Sequence, residues 1–381
     1  MTRSEVTRGA MKEIYFESMK KELIYDILKL ALSEDRAGFY GALKGASAQD
    51  WEWLFKMLGM HGLAAFAYDA VERMPEKVRP PKSVLLKFIS ANMAGMQSYA
   101  RLEMLSGKIN EVMVAEGVKC LLLKGLSLAE YYPRPSGRKF LDIDLYAPGA
   151  ETSVDSAFRA KGVEVDDGFY RHSHMTLSGI LVENHHCLLD VRGRERLRRL
   201  DADLKTMALE RLASCDGPGL YYPDARFSAI FNLHHAMSHF IYEGISFKFL
   251  VDWILFLKKE REVMFSDMMR DDLQRHDLLK FAAVMTSVSV KHLGLAETDV
   301  PEYLKSEMSQ LDSKVEARFI EDLFRPYEPI HQKSIVTERI NSVRRIIKAS
   351  WKPKAFLGQS AVGFVWDKFL PILMGQKFEA D

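Results

Sequence analysis

The chain has 381 residues, with 53 Lys and Arg against 52 Asp and Glu, and 48% of its residues are hydrophobic. That apolar content excludes a disordered chain, and a net charge of +1 excludes a strong whole-protein field for nucleic acid or anionic lipid. Three cysteines, Cys120, Cys187 and Cys215, exclude a disulfide framework and fit a reducing compartment.

The N-terminal stretch MTRSEVTRGAMKEIYFE has no apolar signal core. The apolar stretch from Ala361 to Met374 is interrupted by Asp367 and Lys368 and falls short of the ~20 residues that cross a bilayer. No membrane span and a cytoplasmic location are therefore expected. Residues 1–118 read as a helical N-terminal region. Met19, Leu23, Ile27 and Leu30 recur at helical spacing, as do Trp51, Leu54, Phe55 and Leu58 after Ser47 and Asp50. A further amphipathic segment runs from Val84 to Val114. The character changes over 119–225, which reads as the core unit. Lys119–Leu123 is a short apolar run of the kind a buried strand shows, Leu126–Tyr132 a helix ended by Pro133, and Phe140–Tyr146 an alternating strand with Leu141, Ile143 and Leu145 facing the core. A helix over Glu151–Lys161 and two strands, Tyr170–Leu177 and Ile180–Leu189, follow. A two-residue Ser178-Gly179 turn joins those strands. Residues 226–381 read as helical again, with Phe227–Lys259 apolar enough for a buried helix pair. Strands set between helical regions indicate an α+β class.

Period-2 geometry puts Asp142 and Asp144 on one strand face, about 6–7 Å apart at Cα, within reach of a shared divalent cation. Alone, the pair fits a solvated strand face as well as a functional site. Lys124-Gly125 lies between the preceding strand and helix, where a glycine lets a phosphate approach backbone N–H groups. Ser127 adds a hydroxyl and Lys124 a charge, although a lone Gly-x-Ser also fits an ordinary turn. Together, a phosphate cradle and a two-carboxylate strand supply anion donors and metal ligands in a fixed order.

LLLKGLSLAEYYPRPSGRKFLDIDLY (121–146) resembles the core signature of the DNA polymerase β-like nucleotidyltransferase superfamily. Within it, the run is most similar to a poorly characterised bacterial nucleotidyltransferase family with an LKG, YYP, Arg, DIDL pattern. The likeness continues through HSHMTL (172–177), ILVENHHCLLD (180–190), FNLHHAMSHF, FLVDWILFL and DWEWLFKMLGMHGLAAFAYDAV (50–71). It implies a small mixed-sheet nucleotidyltransferase core embedded between helical N- and C-terminal regions. It also implies that Asp142, Asp144 and Glu183 are catalytic carboxylates holding Mg²⁺, with two ions expected. Lys124, Gly125, Ser127 and Arg138 are the expected nucleotide contacts. The pattern departs from the superfamily in two places: Ser127 falls one position late, and Glu183 stands where Asp is frequent.

On the strand carrying Glu183, His185 shares its face and is a candidate substrate contact, or a histidine satisfied within the sheet. His172 and His174 share a face that the sequence alone does not fix. Arg192, Arg194, Arg196, Arg198 and Arg199 fit an anion site or, slightly better, a solvated helix face. His234, His235 and His239 fit buried helix contacts better than a metal site, Asp252 a polar contact in the helical core, and Arg339–Lys354 a solvated helix. The expected activity is Mg²⁺-dependent transfer of a nucleoside monophosphate from an NTP donor to an acceptor hydroxyl, with release of pyrophosphate. An inactive nucleotide-binding or regulatory module of the same fold is the alternative, and a helical scaffold with an incidental acidic strand is a second. The acceptor, the choice of NTP and the oligomeric state stay open, and no feature specifically indicates nucleic acid.

Overall fold

A short run of branched and apolar residues, KCLLL, can be satisfied only where both of its faces are covered, and this explains the layering of the whole molecule. The computed structural model describes residues 3–33, 40–191, 195–325, 349–360 and 363, with the backbone alone over 3–17. The KCLLL segment is strand β1 (Lys119–Leu123), near one edge of a six-stranded sheet that also holds β2 (Asp142–Tyr146), β3 (Val165–Asp166), β4 (His172–Leu177), β5 (Ile180–His185) and β6 (Gly219–Tyr221). The strand order is β3-β4-β5-β2-β1-β6. β2 pairs with β5 and β1 with β6 in parallel, and the other pairs are antiparallel, so the sheet is mixed.

Helices cover both faces. On one face Cys120, Leu122, Ile143, Leu145 and Val182 pack against α4 (Lys82–Ala115) and α6 (Glu151–Ala160), through Leu105, Ile109, Val154 and Phe158. On the other, Leu121, Leu123 and Tyr146 join a core built by α1–α3 (Arg3–Leu32, Ala48–Met60, Ala64–Arg73) and the helices after residue 225, α8 (Ala225–Tyr242) and α9 (Phe247–Lys259) among them. Ser47 and Asp50 form the capping box that starts α2, each closing on the other's backbone N–H. The protein is thus a mixed α+β fold in a helical setting. No helix among the described residues is long and apolar enough to cross a membrane.

Several element ends differ from expectation for identifiable reasons. The strand expected over Ile180–Leu189 stops at His185 because the next N–H groups turn elsewhere. Those of His186 and Cys187 donate to the Arg171 carbonyl, and those of Leu188 and Leu189 donate to Asp201 of α7 (Glu195–Ala213). The strand expected from Phe140 begins at Asp142. Phe140 is buried and Leu141 is 66% exposed, which corrects the reading of Leu141 as a core residue. The helix after Lys124, α5, spans only Gly125–Ala129. β3 and β6, at two and three residues, are too short to leave a period in the sequence. The Ser178-Gly179 turn stands as expected, with positive φ at both residues, 53° and 76°, as a two-residue hairpin of this hand requires.

One buried contact between the flanking helices carries a pH dependence. His61, after α2, accepts the Phe247 N–H at Nδ1 (3.3 Å) and packs edge-on against the Phe247 ring. Burial lowers its pKa to about 4. The unfolded imidazole, near the ordinary 6.5, takes up a proton that the folded one refuses. This contribution is complete above pH 6.5 and lost as pH falls through 4, about 3 kcal/mol at the limit. Denaturant midpoints measured from pH 7 to pH 4 should fall less steeply in His61→Gln than in the parent. Equal slopes would contradict this reading.

Candidate active site

The site grows from the end of β1. Lys124 follows the strand at φ 47°, a left-handed conformation unusual for a residue with a side chain, and turns the chain into α5. That turn brings the Lys124 Nζ to 3.0 Å from Asp144 Oδ1, while its ammonium lies 5.8 Å from the centroid of the Phe231 ring on α8. Asp144 sits on β2 directly beside Glu183 of β5, and Asp142 is one strand period earlier, beside Leu181. His185 lies below Glu183 on the same face and donates from Nε2 to the same Asp144 Oδ1, at 2.9 Å.

The electrostatics follow from burial and crowding. Burial works to raise the Asp144 carboxyl, but the Lys124 ammonium and the His185 bond outweigh it and hold Asp144 ionised, well below the usual carboxylate range. Burial and then the Asp144 charge push Asp142 up. Glu183 is raised further, by burial first and the charge of Asp144 second. Burial outweighs the Asp144 bond at His185 and lowers it to about 4, so its imidazole is neutral at neutral pH. A face with one ionised carboxylate and two others whose ionisation is opposed attracts a cation.

Asp144, Glu183 and His185 each offer a ligand atom within 4.8 Å of the others, and so do His172, His174 and Glu183. Asp142 belongs to neither group, although it shares the face. The expected nucleotide contacts gather at one turn but have different partners, and Arg138 reaches it through the Gly125 carbonyl at 3.4 Å. Lys124 is at the carboxylates. Ser127 is buried, and its hydroxyl donates to the Lys124 carbonyl at 2.8 Å, inside the turn. Arg138 makes a positioning contact where a phosphate contact was expected. Its guanidinium is buried and bidentate on Asp252 of α9, Nε to Oδ1 at 2.8 Å and Nη2 to Oδ2 at 2.9 Å.

Gly125 is required for space. A Cβ there would lie 2.7 Å from the Phe140 ring. Gly125→Ala should therefore cost about 1–3 kcal/mol by overpacking, read as a lowered melting temperature. In a Phe140→Leu background most of that cost should vanish. An equal cost in both backgrounds would rule the clash out.

The sequence alone does not fix the face of His172 and His174, and the structure places both with the carboxylates. His172 is opposite His185 and His174 opposite Glu183. The signal was present, since a two-residue turn at 178–179 dictates those pairs. Arg171, just before β4, belongs to no motif that marks it in the sequence. It is buried, and its charge eases the ionisation of Glu183 and opposes protonation of His185. On the α8 wall, burial and then the Lys124 charge hold His235 neutral, and it packs edge-on with His239 at 4.5 Å. His239 pairs with Glu243, and His234 is buried.

The described arginines of the 192–199 run have partners of their own. Arg198 and Arg199 pair with Glu195, Arg196 donates to the His276 carbonyl, and Arg192 and Arg194 lie outside the described residues. Most of the Arg339–Lys354 segment also lies outside them. Its Lys352 is buried against the Phe240 carbonyl and Asp322, a packing role and not a solvated one.

A family model described as an uncharacterised nucleotidyltransferase matches residues 47–294, well over half of the chain. No curated protein and no solved structure matches.

Proposed function

The chain belongs to the uncharacterised nucleotidyltransferase family, and on that premise we propose that it transfers a nucleoside monophosphate from an NTP to an acceptor hydroxyl in a Mg²⁺-dependent reaction. The observation that carries this reading is Asp144 in register beside Glu183, with Asp142 one period away on the same face. The donor set fits a hard cation: carboxylate oxygens, buried and crowded enough that desolvation first and the Asp144 charge second oppose the ionisation of Asp142 and Glu183. Asp142, Asp144 and Glu183 would hold Mg²⁺, which when bound supplies charge against the triphosphate and the leaving pyrophosphate.

The chain's own groups account for the rest. Lys124 holds Asp144 ionised, and its flexible stem lets the ammonium swing to a phosphate oxygen when the nucleotide arrives. His185 fixes the orientation of the Asp144 carboxylate through its Nε2–H, as a positioning residue. Glu183, with its proton affinity raised, takes the acceptor's hydroxyl proton at a carboxylate oxygen. The acceptor oxygen forms its bond to the α-phosphorus, the bond from that phosphorus to the bridging oxygen breaks, and pyrophosphate leaves. Phe231 and His235 of α8 supply an apolar, uncharged wall beside Lys124.

A nucleotide-binding module without turnover is the second reading, and the Lys124–Asp144 pair favours it, because an internal cation already serves one carboxylate. Calorimetry with Mg²⁺-NTP, run beside a pyrophosphate-release assay in cell extract, separates the two. Binding with release supports transfer; binding without release in any extract fraction supports the module.

A further inference from the structure

The face that carries the carboxylates continues across β5 onto β4 as a set of imidazoles. His172 and His174, two residues apart on β4, face His185 and Glu183 on β5. The ligand atoms of His172, His174 and Glu183 lie within 4.8 Å of one another. The His174 Nε2 is 3.5 Å from Glu183 Oε1. Two ligands held at about 2.0 Å on a tetrahedral ion lie about 3.3 Å apart, so that separation is close to a coordinated one.

Two further observations concern the ring nitrogens. The His174 Nε2 and the His172 Nδ1 are buried without a hydrogen-bond partner, and His172 as a residue is only 7% exposed. Buried polar atoms without partners are uncommon, and a missing ion is one of their regular explanations. The rings are also held in place. Their centroids are 4.5 Å apart, and the Phe169 ring packs on both, at 5.9 Å from His172 and 4.5 Å from His174. Such an apolar cover limits solvent access and fixes ligand orientation.

The geometry points to a second cation site, made by His172, His174 and Glu183, for a divalent transition-metal ion of the Zn²⁺ class. Two imidazoles and one carboxylate suit such an ion, whereas Mg²⁺ prefers an all-oxygen shell and keeps its water. The site sits beside the carboxylate centre and shares Glu183 with it, so one side chain would bridge a hard and a borderline cation. It rests on the β4–β5 register and not on nucleotidyl transfer, and metal binding can be read without any turnover.

Co²⁺ is the direct probe, because its visible absorption reports tetrahedral nitrogen and oxygen coordination. Chelator-stripped full-length protein should take up one equivalent of Co²⁺ with that absorption. Zn²⁺ should displace it, and millimolar Mg²⁺ should not. His174→Ala, at a partly exposed side chain, should weaken Co²⁺ binding more than about 100-fold, and His172→Ala should do the same. His239→Ala on α8 should leave both stoichiometry and affinity unchanged. Far-ultraviolet circular dichroism identifies any variant that fails to fold, and His174→Gln then replaces it. The inference is overturned if stripped protein gives no Co²⁺ band, if Mg²⁺ displaces Co²⁺ as readily as Zn²⁺ does, or if folded His172 and His174 variants bind as the parent does.

Discussion

Replacing Asp142 and Asp144 together by Asn should reduce nucleotidyl transfer by about a thousandfold or more while the protein stays folded. A bound cation contributes several kcal/mol of charge stabilisation to phosphoryl chemistry, and each 1.36 kcal/mol is a factor of ten in rate. Amides keep the shape of both side chains and remove both charges. Stability should change little, because the double change removes the Asp142 carboxyl, whose ionisation burial and then the Asp144 charge oppose, and takes the Asp144 charge away from Glu183, which burial first and that charge second push up. Lys124 loses its partner, but its side chain is 17% exposed and its long stem can carry the ammonium to water. Two measurements on the same preparation check this: the rate of pyrophosphate release and the melting temperature. A folded variant with parental rate would remove β2 from the catalytic centre.

The second large effect lies behind the site. Asp252→Ala should destabilise the fold by about 3–5 kcal/mol, since it strands the buried Arg138 guanidinium. It also removes the acceptor of the Tyr132 hydroxyl, 2.8 Å away. This pair ties α9 to the loop that leads into β2, so the carboxylate strand should lose its placement together with stability. Replacing Arg138 by Met and Asp252 by Leu at once should recover much of the loss, because no unpaired charge is left in the interior. Urea midpoints for the single and double variants test both statements. A single Asp252→Ala change costing under 1 kcal/mol would show that the pair is better solvated than its burial indicates.

These two effects mark what the sequence could and could not reveal. The alternation DIDLY exposes Asp142 and Asp144 on one face because a strand has period 2, and the Ser178-Gly179 turn marks the hairpin that carries Glu183. The partner of Arg138 is 114 residues away, and no local pattern links the two. Sequence position therefore suggested a phosphate role for an arginine that the interior had already engaged. Lys124 was legible as a charge near the site, but its ion pair with Asp144 depends on a left-handed turn that propensity does not anticipate in a lysine. Gly125 was legible as a constraint, and its cause, the Phe140 ring, became visible only with the strand and helix packed together.

The two histidine-bearing strands follow the same logic. Once the turn is fixed, the pairing of His174 with Glu183 follows by counting, yet whether their rings converge depends on twist and on packing by Phe169. On the opposite face, Asp155 of α6 accepts hydrogen bonds from Ser173 (2.5 Å) and Asn184 (2.8 Å), which clamps β4 and β5 to each other from behind. Alternation along each strand thus separates a structural polar network from a chemical one.

The central claim, that these carboxylates direct transfer of the α-phosphoryl group, is tested most directly by position-specific label. Purified protein, Mg²⁺ and size-fractionated cell extract are incubated with each NTP, labelled in turn at the α- and the γ-phosphate. Over extract alone, α-label should appear on an acceptor and γ-label only in pyrophosphate, with both absent for the Asp142→Asn, Asp144→Asn protein. Transfer of γ-label to an acceptor, or α-label incorporation unchanged in that variant, would contradict it.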